Sequence, residues 1–81
     1  MNNLAELKTK KDAYVKAEAQ KIIDDMVTRN VTASTLATCD AQNWDTELHR
    51  HMLDVAKELH SQGIRVSSQI RHGVTDWTFT V

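Results

Sequence analysis

The residues best suited to metal or acid–base chemistry in this 81-residue chain are four histidines, at positions 49, 51, 60 and 72, and one cysteine, Cys39. Their spacing speaks against both chemistries. On a helix, His49 and His51 project roughly 200° apart around the axis, so they cannot chelate one ion together, and no third or fourth ligand converges on either. Asp45 with His49, and Glu47 with His51, are four residues apart and read as ordinary helix-surface pairs. His72 falls where a turn is needed. Cys39 adjoins Asp40, whose charge disfavours a thiolate, and no nucleophile signature surrounds it; it reads as a small buried or half-buried thiol. The Ser and Thr residues between 32 and 38 include no glycine that would let backbone amides cradle a phosphate, so they read as capping and turn chemistry. The residues thus predict no catalytic group, no metal and no cofactor.

The elements that would position any site follow from periodicity. A first helix is predicted over 2–29, capped by Asn2 or Asn3. Val15, Ala19, Ile22, Ile23 and Met26 make a continuous apolar stripe, whereas Leu4, Leu7 and Tyr14 share their face with Lys8, Lys11 and Glu18. The second half therefore belongs to the core. A helix of this length spans about 40 Å, against about 27 Å for the second helix, so part of it must overhang. Residues 31–44 are rich in small polar side chains and predict a connector with one short helical turn near Leu36, pinned by Leu36 and Trp44. The second helix is predicted over 45–62, with Leu48, Met52, Val55, Ala56 and Leu59 on one face. Gly63 supplies the left-handed residue that stops it, and Ile64 folds back on its last turn.

From Ile64 onward the period becomes two, predicting strands at 64–71 and 74–81 joined by His72-Gly73. This turn pairs Ile70 with Thr75, Ser68 with Trp77, Val66 with Phe79 and Ile64 with Val81, all on the face toward the helices. Arg65, Ser67, Gln69, Arg71, Val74, Asp76, Thr78 and Thr80 then face outward. The fold class is α+β: two amphipathic helices packed on a C-terminal antiparallel β-hairpin, one domain over 1–81. No repeat, low-complexity tract or linker divides the chain, and it has no proline.

Size and charge limit the function. A chain this short buries only about 60% of its unfolded surface, and with a single cysteine no internal disulfide can staple it. Self-association is the common remedy. The lone thiol and the absence of a charged-then-apolar leader point to the cytoplasm, and no apolar run approaches membrane-spanning length. Ten Lys and Arg against eleven Asp and Glu leave little net charge to attract nucleic acid or anionic lipid.

A short turn at 33–38, a following helix and a terminal hairpin resemble in layout a winged helix-turn-helix domain. The would-be reading helix, however, carries Asp45, Glu47, Asp54 and Glu58 against Arg50 and Lys57, which repels phosphate. The exposed hairpin face offers only Arg65, Arg71 and His72, making weak nucleic-acid binding the alternative function. The main expectation is a non-enzymatic regulatory or protein-interaction module that forms a dimer or higher homo-oligomer. It would contact itself, or an adaptor's or inhibitor's larger target, through Leu4, Leu7 and Tyr14 or through open hairpin edges. Small phage or mobile-element proteins that block host machinery share this size and simplicity.

Overall fold

In a computed structural model, which describes residues 3–81, the chain runs α1 (Asn3–Arg29), β1 (Ala33–Thr38), α2 (Thr46–Ser61), β2 (Arg65–Arg71) and β3 (Val74–Thr80). The α+β class stands, with two helices on a sheet. The alternative start cap, Asn2, lies outside the described residues.

Both helices stop where backbone chemistry dictates. After α2, Gly63 takes a left-handed conformation at φ +92°. Its N–H donates to the His60 carbonyl, and the Ile64 N–H donates to the Leu59 carbonyl at 3.1 Å, the paired bonds of a Schellman motif. Ile64 is buried as a result, as its position after the glycine predicts. The end of α1 repeats this with Asn30 at φ +55°: Asn30 donates to Val27 and Val31 to Met26. Asparagine tolerates the left-handed region because its short polar side chain bonds locally. At the start of α2, the Asp45 carboxylate accepts from the Leu48 N–H at 3.0 Å, satisfying one of the orphan donors of the first turn.

The hairpin has the predicted register: Val66 opposes Phe79, Ser68 opposes Trp77 and Ile70 opposes Thr75. His72 and Gly73 have φ of +51° and +80°, the doubly left-handed backbone of a tight two-residue turn that follows the twist of the strands. What differs is the connector. Over 33–38 the chain forms a third strand instead of a helical turn, and β1 pairs antiparallel with β3 from Ala33 opposite Thr80 to Thr38 opposite Thr75. The sheet order is β1-β3-β2. Ser34, Leu36 and Thr38 alternate onto the helix-facing side, and this two-residue period fits a strand and not a helical turn.

The third strand moves the middle of the sheet from the hairpin to β3. Thr75, Trp77 and Phe79 are buried beneath Val15, Ala19 and Met26 of α1 and Leu48, Met52, Val55 and Leu59 of α2. On β2 only Val66 packs against this core; Ser68 and Ile70, expected to be covered, are exposed, Ile70 at 74%. Val81 is exposed too, its N–H extending the β3–β1 ladder to the Thr32 carbonyl. Trp44, expected to pin the connector, is 43% exposed in the turn before α2, where Asn43 is left-handed.

The His72-Gly73 turn generates a prediction. Replacing His72 with asparagine, the residue most at home in this backbone, should stabilise the protein by about 0.3–0.5 kcal/mol relative to the parent, read from urea unfolding midpoints. A loss of stability would show that the His72 ring makes a contact worth more than the backbone preference.

Candidate interaction surfaces

The histidines expected to pair along the surface of α2 are drawn into other contacts. Asp45 is occupied as the helix cap, so His49 turns to β1 instead: its Nδ1 lies 2.9 Å from Thr38 Oγ1. The same hydroxyl oxygen accepts the indole N–H of Trp77 at 2.8 Å. With one proton and two lone pairs, the Thr38 hydroxyl accepts from Trp77 and still has a partner for His49 Nδ1 in either tautomer of the ring, so three polar groups from β1, β3 and α2 satisfy one another at the edge of the core. Thr38 is 3% exposed and its oxygen is engaged by the indole, an arrangement that ties the sheet to α2 rather than presenting a nucleophile. No buried side-chain nitrogen or oxygen among the described residues lacks a partner. Cys39, next to this network, is half-buried as predicted.

His51 packs its ring edge-on against Tyr14, with centroids 5.3 Å apart, and does not meet Glu47. Burial, followed by the negative field of Glu18, Asp45 and Glu47 and opposed by Arg50, pushes the Tyr14 hydroxyl up to about 12. One turn earlier, the Lys11 ammonium sits 3.0 Å from the Asp54 carboxylate. The Lys11 hydrogen bond holds that carboxyl below its usual range. Lys11–Asp54 and Tyr14–His51 together form a collar fastening α1 to α2.

Beyond the collar α1 is an arm. Every described residue before Tyr14 is exposed, and Val15 is the first that is buried. Leu4 and Leu7, exposed at 57% and 61%, stand one turn apart on this arm, separated from Val15, the first residue of the buried stripe, by Lys8 and Lys11. The structure therefore separates the three residues grouped by the sequence: Leu4 and Leu7 lie on the arm, while Tyr14 belongs to the collar. The 45 Å longest dimension of the molecule reflects the overhang that the helix lengths imply.

The outer face of the sheet carries the expected Arg65, Arg71 and His72, all exposed. Its basic character is partly cancelled, because Arg71 is held by Asp76, Nη2 to Oδ2 at 2.9 Å. Among the described residues, both sheet edges, β1 and β2, lack a neighbouring strand. The β2 edge adjoins a groove formed by Leu53, Ala56, Lys57, His60 and Val66, in which Leu53 is 70% exposed. This region escaped sequence reasoning, since Val66, Ser68 and Ile70 alternate as an inward face would. The solvent-facing position of Leu53, off the stripe of α2, was the available signal.

Among the described residues, no group of three or more His, Cys, Asp or Glu side chains is placed to hold a metal ion, and no helix is long and apolar enough to cross a membrane. No protein-family model, curated protein or solved structure matches the chain.

Two predictions follow from the polar contacts. Thr38→Val removes the acceptor of a buried indole N–H and should cost about 1–3 kcal/mol in denaturant unfolding, the desolvation penalty of an orphaned donor. A change below about 0.5 kcal/mol, within the extrapolation error of such measurements, would mean that water replaces the hydroxyl. For Tyr14 the folded-state value, about 12, lies above the ordinary value of 10.0. The folded protein thus holds the proton over a range where the unfolded chain loses it, and stability falls as pH rises from about 10 to 12. Tyr14→Phe should flatten that decline, and an unchanged slope would assign it to other groups.

Proposed function

We propose that this chain is a non-enzymatic protein-interaction module of regulatory type, an adaptor or inhibitor that works in the cytoplasm as a small homo-oligomer. The observation that carries this reading is the arm of α1, which presents Leu4 and Leu7 as exposed apolar side chains beyond the collar. An isolated helix of about three turns is only marginally stable by itself, and a helical segment that exposes two leucines one turn apart is suited to docking in a partner's groove. Leu7, with Leu4 one turn before it, is the anchor.

The charge distribution supports a protein partner over nucleic acid. Two arginines on the outer sheet face, one already paired with Asp76, fall well short of the roughly six to ten phosphate contacts of a strongly salt-dependent binder. Weak nucleic-acid binding is the competing reading, and the two predict opposite mutational patterns.

Affinity capture from a host lysate should yield a discrete protein set with the parent chain and with an Arg65→Ala, Arg71→Ala variant, and lose it with Leu4→Glu, Leu7→Glu. Both variants alter exposed side chains, so circular dichroism should stay at the parental signal. Capture indifferent to the leucines, accompanied by salt-sensitive binding of duplex or single-stranded DNA that disappears with the arginines, would overturn the proposal in favour of nucleic acid.

A further inference from the structure

The free edge of β2 has a two-fold sequence symmetry. It reads Arg65-Val66-Ser67-Ser68-Gln69-Ile70-Arg71, so that about Ser68 the flanking residues match in kind: Ser67 with Gln69, Val66 with Ile70, Arg65 with Arg71. In an antiparallel pair of identical strands related by a two-fold axis each residue meets its mirror position on the other copy, so this symmetry sets apolar against apolar and small polar against polar.

The backbone phase agrees. The Val81 N–H donates to the Thr32 carbonyl, continuing the β3–β1 ladder. Odd-numbered residues of β3 thus bond toward β1 and even-numbered ones toward β2, where they meet Arg65, Ser67, Gln69 and Arg71. Val66, Ser68 and Ile70 therefore direct their N–H and C=O groups to the open edge. These are the residues that a two-fold axis at Ser68 sets opposite one another as hydrogen-bonded pairs: Ser68 on Ser68, Val66 on Ile70.

We infer that β2 joins a second copy of this chain through that register, converting two three-stranded sheets into one continuous sheet of six strands. Side chains fit as well as backbone. Ile70 of one copy, exposed at 74%, lands opposite Val66 of the other, beside the groove of Leu53, Ala56 and His60. The isoleucine thereby gains the apolar cover its own helices do not provide, and Ser68 at the axis is small enough to let the strands close. The register has one opposing element. Arg65 faces Arg71 of the other copy on the outer side of the sheet, a like-charge pair that Asp76, bound to Arg71, partly neutralises. This inference rests on the homo-oligomer reading and adds where the copies meet, leaving the α1 arms for the partner.

Sedimentation equilibrium of the full chain across a range of concentrations tests it, together with hydrogen exchange resolved by residue. The expected result is a dimer in which the amides of Val66, Ser68 and Ile70 gain protection as concentration rises. Ile70→Lys, a change at an exposed position that should leave thermal unfolding of the monomer unchanged, should weaken dimerisation at least about tenfold. Arg65→Glu should tighten it by about threefold to tenfold by turning the two like-charge pairs into opposite-charge pairs. A dimer that survives Ile70→Lys and dissociates when residues 1–12 are removed would overturn the edge pairing while leaving the interaction module intact. A dimer weakened by Arg65→Glu would overturn the Ser68 register. A monomer at every concentration would overturn this pairing and the homo-oligomer, leaving the arm to be judged by capture.

Discussion

Everything in this fold depends on β3 having a neighbour on each side. Its seven residues alternate between a face that buries Thr75, Trp77 and Phe79 and one that carries Val74, Asp76, Thr78 and Thr80. Because backbone partners lie on both sides, the buried face can extend across three strands and support two helices, where a two-stranded ribbon would be marginal. Phe79 is fully buried, and Trp77 reaches through its indole N–H to Thr38, so the central strand is tied sideways to β1 by backbone and side chain alike. His49 carries that tie on to α2. One threonine hydroxyl thus links two strands and a helix.

The same centring explains where surface is left over. With β3 in the middle, the helices cover its inward face and the start of β2, and the far half of β2 emerges from beneath them with Ser68 and Ile70 uncovered. On α1 the remainder is of another kind: every described residue before the collar of Tyr14 and Lys11 is exposed, although α2 runs on from Asp54 to Ser61. Arm and edge are both places where an element extends beyond its buried part, α1 before Tyr14 and β2 after Val66. Apolar side chains at such margins are suited to recognition, since a partner can extend a surface the protein has already begun.

What could be read from residues alone was what local chemistry decides. Gly63 followed by Ile64 announces a Schellman stop, His72-Gly73 between alternating runs announces a hairpin and its register, and Leu4 and Leu7 are visibly separated from the core by lysines. The strand at 33–38 was illegible because its residues are small, with Leu36 its one large apolar side chain. Its pairing depends on β3, about forty residues downstream, and no local preference encodes that. Without β1, β3 reads as a second open edge of the hairpin when it is the central strand, and Ser68 and Ile70 read as covered. Trp44 misled in a related way, since an aromatic side chain suggests burial but its neighbours leave it in a turn, whereas Tyr14, grouped with Leu4 and Leu7 on the overhang, is half-covered at the collar.

The order β1-β3-β2 also has a kinetic meaning. The two halves of the sheet differ greatly in the length of chain that must be closed to make them: β2 and β3 are joined by two residues, whereas Thr38 must find Thr75 with the whole of α2 between them. Local closure is fast and long closure is entropically costly, so the hairpin should form early and β1 should dock late, after α2 has shortened the gap by coiling. In the interval, the β1-facing side of β3 is an unguarded edge with buried-type side chains beside it. A nascent chain of this protein is therefore most exposed to mispairing at its central strand, the one that becomes the most protected in the finished fold.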